Sequence, residues 1–214
     1  MFNTVLLSDE IYPINLKNIT TPPDKLFFTG SLLPTDQKAI AIVGSRENTL
    51  YGKKTAQFFA EILSQAGYTL ISGLARGIDT IVHKTALKNK GRTIAVLGSG
   101  LNVYYPPENK FLYEKISKTG AVISEFPLDT KPLKHNFLQR NRLISGLSLA
   151  VVIIEGRRRS GTISTATWAA DQGRDVFAVP GPVDSPLSEA PNFLLSQGAI
   201  FATTPHDILE YLDE

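Results

Sequence analysis

Residues 38–77 read KAIAIVGSRENTLYGKKTAQFFAEILSQAGYTLISGLARG, and the fold class is decided within them. Lys38–Val43 (KAIAIV) is a short continuous apolar run, so it reads as a buried strand, ended by Gly44-Ser45-Arg46. Tyr51–Ala66 then places Ala56, Phe59, Ile62, Leu63 and Ala66 at helical spacing, and Gly67 stops the helix. Tyr68–Ile71 is a second strand, followed by Gly73-Leu74-Ala75-Arg76-Gly77. Two apolar strands joined by a helix of this length form the unit of a parallel sheet, because parallel neighbours need a crossover.

The alternation continues outward. A helix runs to about Asn89, Thr93–Leu97 is a third strand ending in Gly98-Ser99-Gly100, and a Pro106-Pro107 turn precedes a helix over Asn109–Thr119. Ala121–Ser124 is a short strand, a helix starts at about Gln139, and Leu149–Ile154 (LAVVII) is the most apolar strand of all. Thr162–Gln172 reads as a helix and Asp175–Val179 as a strand. A Pro/Gly-rich loop over Pro180–Pro191 leads to a short helix and the run Ala199–Ala202. Thr204-Pro205 opens the last helix, with Thr as cap and Pro in the first helical position. The expected fold is α/β: one doubly wound, mostly parallel sheet with helices on both faces. Residues 38–214 form the core domain. Residues 1–37 are expected to be irregular, with an edge strand at Leu26–Thr29.

Composition narrows the function classes. The chain has 214 residues, 43% hydrophobic and 20% charged, which suits a folded globular protein and excludes wholesale disorder. It contains no cysteine, which removes disulfides, thiolate nucleophiles and Cys-ligated metal, and suits a reducing cytoplasm. No apolar run approaches the roughly 18 residues of a membrane span. The net charge is +2, but it is unevenly placed. Between Lys131 and Ser160 there are seven cations against Glu155 alone, a net +6 that leaves the rest of the chain at −4. Such a concentration reads either as a polyanion-binding surface or as a solvated basic face.

Ligands of doubly wound sheets bind beyond the carboxyl ends of the strands. The small and polar residues fall at those ends: Gly44-Ser45-Arg46, Ser72-Gly73, Gly98-Ser99-Gly100 and Ser160-Gly161-Thr162. Glycine admits close backbone approach, following helix N-termini present free N–H groups, and Arg46 and Arg76 can grip phosphate. The usual nucleotide fingerprints fail. Gly98-Ser99-Gly100-Leu101-Asn102-Val103 lacks the third glycine of G-x-G-x-x-G, and no G-x-x-x-x-G-K-[ST] exists.

Catalytic groupings are thin as well. His83, His135 and His206 are scattered and hold no metal-ligand spacing. Ser148 follows a helix and precedes a strand, the reverse of a nucleophile elbow. Asp79 reads as a first-turn helix carboxylate and Glu125 as a loop salt-bridge partner. The segment Lys131–Arg142 (KPLKHNFLQRNR) differs, with Phe137 among Lys134, His135, Arg140, Asn141 and Arg142. A ring among cations and amides suits single-stranded nucleic acid, where cations track phosphates and the ring stacks a base. The same composition also fits a core phenylalanine with loop-fixing arginines.

The order of motifs resembles the DNA-processing protein A (DprA/Smf) family. Ala41-Ile42-Val43-Gly44-Ser45-Arg46 is similar to its opening strand and turn, and Ser72–Asp79 (SGLARGID) with His83 to its second motif. Thr93–Leu101, Tyr105-Pro106, Ser124-Glu125, Phe137, Arg140–Ser148 (RNRLISGLS), Ser160-Gly161-Thr162, Val179-Pro180-Gly181 and Gly198-Ala199 continue the match. The resemblance implies an extended Rossmann-like domain that binds single-stranded DNA, acts without catalysis and needs no cofactor. It also implies a role in natural transformation and recombination, loading of the RecA recombinase, and pairing as a homodimer. By that pattern DNA phosphates sit on Gly44, Ser45 and Arg46, while Lys134, Phe137, Arg140 and Asn141 line the same pocket. The turns bearing Gly73, Arg76, Gly77, Ser160 and Gly161 lie beside it.

There are departures from the pattern. The chain has room for neither the N-terminal helical extension nor the C-terminal winged-helix-like domain of many members, so it is expected to be the bare core. Leu138 replaces a usual proline, Ala190-Pro191 replaces a usual glycine, and Arg157-Arg158-Arg159 is more basic than the pattern. A nucleotide-hydrolysing phosphoribohydrolase of the same broad fold is the alternative, but its P-G-G-x-G-T-x-x-E motif needs a glutamate where this chain has Thr165.

Overall fold

The computed structural model describes residues 2–213. The run KAIAIV forms β3 (Ala39–Val43), in which every residue is buried. Its side chains divide by the period of two of a strand. Ala39, Ala41 and Val43 pack on one face with Leu143 and Ile144 of α5 (Lys134–Gly146), Leu147 just beyond it, and Ala166 and Ala169 of α6 (Gly161–Asp171). Ile40 and Ile42 pack on the other with Phe59 and Leu63 of α2 (Leu50–Gln65) and Val82 and Ala86 of α3 (Ile78–Lys88). Each large apolar side chain buried in this way contributes about 1.5–3 kcal/mol. That double coverage is why the strand carries no polar residue.

Beside β3 lie β4 (Thr69–Ser72) and, on its other edge, β7 (Ala150–Ile153), both parallel to it. The sheet continues through β5 (Thr93–Val96) and β6 (Ala121–Ser124) in one direction, and through β8 (Asp175–Ala178) and β9 (Ile200–Phe201) in the other. α4 (Lys110–Thr119) covers β5 and β6, α7 (Glu189–Ser196) precedes β9, and α8 (Pro205–Asp213) closes the chain on α2. The expected doubly wound α/β architecture is therefore present.

The N-terminal segment differs from expectation. It carries β1 (Asn3–Leu6), α1 (Ile14–Lys17) and β2 (Lys25–Gly30), which extend the same sheet to nine strands. The strand expected at the edge is interior: β2 pairs antiparallel with both β1 and β6, and β1 is the edge. In β1 only Val5 is buried, so a four-residue strand with one core side chain leaves no apolar run to read. The other difference is α5, which begins at Lys134 rather than near Gln139. Its buried face carries Asn136, Arg140, Asn141 and Arg142 beside Leu143 and Ile144, so helical periodicity is written largely in polar residues. Apolar spacing cannot reveal such a helix. Arg142 donates to the Thr21 carbonyl and pairs with Glu125, tying α5 to the N-terminal segment and to the end of β6.

Candidate nucleic-acid interface

Strand order reverses at β3, where β4 and β7 leave on opposite sides. A crevice opens beyond the carboxyl ends of strands at such a switch point. In this structure it is a cleft of about 600 Å³. One side is formed by the loop after β3 and the first turns of α5, the other by the loop after β7 and the start of α6.

The first loop is built by close backbone contacts. A methyl group on Gly44 would lie 2.7 Å from Ile78 Cγ1. Gly77 has φ 72 and ψ −128, and a methyl group there would lie 2.2 Å from the Ser45 carbonyl oxygen. That conformation is open to glycine and costly for other residues. The Ile78 N–H donates to that same carbonyl at 3.1 Å, so the turn after β4 holds the loop after β3 in place. Glu155, 2% exposed at the end of β7, accepts from the Thr49 N–H at 3.0 Å and from the Thr49 hydroxyl. Thr49 in turn caps α2 by accepting from the Gly52 N–H at 3.0 Å. The residue lying nearest the cations in sequence is thereby withdrawn from the cleft to join its two loops. The lone acid of the basic window was the one signal that could have drawn attention to it.

On α5, Lys134 is exposed and Phe137 half-buried. The Phe137 ring rests on Gly98, where a methyl would lie 2.6 Å from its Cδ1, and lies 5.5 Å from Tyr105 between centroids. The Arg46 guanidinium carbon stands 5.2 Å from that ring and the Arg140 carbon 5.8 Å, both attracted by its negative π-face. Arg140 is 3% exposed and donates to the carbonyls of Gly73, at 2.8 Å, and Val96. It faces buried Asp79 across Gly73, where a methyl would lie 2.7 Å from both Arg140 Nη1 and Asp79 Oδ2. Burial lowers the Arg140 pKa to about 10, leaving it protonated at neutral pH, and raises that of Asp79, with the guanidinium pulling the other way. Asn141, 6% exposed, donates to the Gly161 carbonyl at 3.2 Å and so joins α5 to the start of α6.

The structure thus places Gly44, Ser45, Arg46, Lys134, Phe137, Arg140, Asn141, Ser160 and Gly161 around one cleft. Arg140 forms floor rather than rim. Three expected residues do not line it. Gly73 and Gly77 act beneath the cleft, as clearance for Arg140 and for the Ser45 carbonyl. Arg76 points outward and pairs with Glu108 on the surface, which raises its own pKa and lowers that of Glu108. Tyr105, Arg157 and Arg159 line the cleft in addition. Thr165, standing where a phosphoribohydrolase needs its glutamate, is 2% exposed and turns its hydroxyl back to the Gly161 carbonyl. Ser148 is buried and donates to the Ile144 carbonyl. Among the described residues no group of three or more His, Asp or Glu is placed to hold a metal ion, and no helix is long and apolar enough to cross a membrane.

Gly77→Ala is expected to destabilise the fold by about 1–3 kcal/mol through its backbone conformation. It should also displace the Ser45–Arg46 loop. Chemical denaturation reads the first effect; the second appears as changed amide resonances of residues 44–47, which an undisturbed loop would not show.

Known proteins are similar to this chain in sequence and fold. The family model for DNA recombination-mediator protein A matches residues 3–213. Protein Smf of Escherichia coli K12 is 48% identical over 204 residues, covering 95% of this chain and 54% of that protein, so the chain spans about half the length of that relative. The X-ray structure of DNA processing protein A from Streptococcus pneumoniae superposes with a TM-score of 0.93 at 38% identity, covering 98% of this chain and 74% of that one. DNA processing protein A from Helicobacter pylori, whose structure was described for its single-stranded DNA binding mode, gives 0.88 at 30%, covering 99% and 95%. A match that runs through every strand of the sheet and every loop of the cleft leaves one conclusion: the chain belongs to the DNA recombination-mediator protein A family.

Proposed function

We propose that the switch-point cleft binds single-stranded DNA without altering it chemically, as part of DNA processing in recombination. The observation that carries this reading is the group Arg46, Lys134 and Phe137, two exposed cations around a half-buried ring at the mouth of one cleft. Among the described residues neither cation has a carboxylate within ion-pair distance. The binding step follows from magnitudes. An exposed Arg46 over this half-buried ring contributes about 0.5–1 kcal/mol, whereas a stacked base contributes about 1–3 kcal/mol. A base therefore displaces the guanidinium from the ring face, and the freed arginine meets the adjacent phosphate. Delivery of the bound strand to RecA, pairing of two copies and a cytoplasmic location complete the proposal, and these rest on family membership alone.

The test is fluorescence anisotropy with oligo-dT and duplex DNA at two salt concentrations. Micromolar or tighter binding that favours the single strand and weakens with salt is expected. Phe137→Leu, which keeps the packing on Gly98, should lose about 5- to 160-fold in affinity, the equivalent of one stacked base. Arg46→Ala and Lys134→Ala should each flatten the salt dependence. Binding indifferent to all three changes would sink the assignment, and base release from a nucleoside monophosphate would replace it with an enzymatic one.

A further inference from the structure

The three arginines after β7 do not share one job. Arg158 turns away from the cleft: its guanidinium carbon lies 3.2 Å from the centre of the Phe193 ring on α7, and its backbone N–H donates to Glu189 Oε2 at 3.1 Å. Arg157 and Arg159, one residue to either side, line the cleft and are exposed. Among the described residues neither has a carboxylate within ion-pair distance, since Glu155 is buried and held by Thr49. Next in the chain, Ser160 is extended and leaves α6 without a side-chain cap, and its Oγ is buried with no hydrogen-bond partner. Two like charges two residues apart with no counter-ion repel each other, and a bridging anion relieves that repulsion. Among the described residues no aromatic side chain lines the cleft on this side, so it offers no ring on which to stack a base.

We propose that Arg157 and Arg159 form a second phosphate subsite, across the cleft from Arg46 and Lys134. The proposal rests on the reading of the cleft as a single-stranded DNA site and divides it by chemistry. One wall takes a base and its phosphate, and the other takes a neighbouring phosphate irrespective of base. Arg158, with the same charge, lies on Phe193 outside the cleft and makes no phosphate contact.

The experiment compares wild type, R157Q/R159Q and R158Q for binding of oligo-dT and of an abasic deoxyribose-phosphate strand of equal length, across roughly 50 to 200 mM salt. Each phosphate contact on a single strand adds about 0.7 to the slope of log affinity against log salt. R157Q/R159Q should therefore lower the slope by about 1.4, so that wild type loses about sevenfold more affinity than this variant over that salt range. The abasic strand should show the same drop, and there Phe137→Leu should have no effect. R158Q should keep the wild-type slope. An unchanged slope in R157Q/R159Q, or an equal loss in R158Q, would overturn the subsite while leaving single-stranded DNA binding in place. Absence of wild-type binding to oligo-dT would instead overturn both readings. All three side chains are exposed, and circular dichroism of each variant should match that of the wild type.

Discussion

Arg140→Met is expected to unfold the protein by about 3–5 kcal/mol, the range found when one member of a buried charged pair is removed. The guanidinium is enclosed beneath the cleft, and its donors hold the carbonyls of Gly73 and Val96, the places where the chain leaves β4 and β5. Methionine fills similar volume but donates nothing. Both carbonyls lose a partner, and the Asp79 carboxylate keeps only the Ala75 N–H at 3.2 Å and its bond to Ser72. Arg140→Lys should recover little, because one ammonium on a flexible stem cannot reproduce the planar fork that spans two strand ends. The informative comparison is a double-mutant cycle with Asp79→Asn, measured by urea denaturation. The two groups face each other across Gly73, so the double variant should be less destabilised than the sum of the singles, with a coupling of about 0.5–3 kcal/mol. Strict additivity would show that Arg140 acts through the carbonyls alone.

This arginine also marks how far the sequence could be read. The apolar runs of β3 to β8 and the glycine stops between them announce a parallel sheet, because strands buried on both faces have no polar positions to obscure them. Glycines and arginines at the strand ends were equally visible, and they do gather at one edge. What spacing cannot supply is the direction of each side chain. Gly73 and Arg76 stand three residues apart after one strand, yet one lies against the buried Arg140 and the other reaches Glu108 on the surface. Arg140 and Lys134 belong to one basic segment, yet the helix they share sends the first inward and the second out. That helix was itself hidden over its first turns, since its inner face is built from Asn136, Arg140 and Asn141. Composition correctly marked the segment as special and left open whether its charges bind DNA or brace the fold. Two of them brace the fold, Arg142 by pairing with Glu125 and Arg140 by holding the strand ends, while Lys134 remains exposed at the rim.

Next to this cluster lies a group whose titration dominates the expected acid response. His83 is completely buried on α3, with Nδ1 2.8 Å from Thr93 Oγ1. The Thr93 hydroxyl donates to the Leu70 carbonyl at 2.7 Å, so its oxygen must accept from His83, and the proton of the neutral ring sits on Nδ1. Nε2 is left as a bare, buried acceptor without a partner. Protonating it would create an unsolvated cation near Arg140, and burial first and that charge second lower the pKa to about 3. Unfolding releases the ring to its ordinary value near 6.5. Between these values the unfolded chain holds the extra proton, so acid favours unfolding: the stability is complete above pH 6.5 and falls by up to about 1.4 kcal/mol per pH unit on the way down. Asp79, whose pKa is raised by burial, acts in the opposite sense at the acid end, because the folded form takes up its proton first. Urea denaturation at intervals from pH 7 to pH 4 should show the loss beginning near pH 6.5, above the ordinary carboxylate range. His83→Leu should be weaker at pH 7, having lost the Thr93 bond, but nearly level between pH 6.5 and 5. Parallel slopes for the two proteins in that window, or a His83 imidazole resonance titrating near 6.5 in the folded wild type, would show that the buried histidine is not what couples this fold to pH.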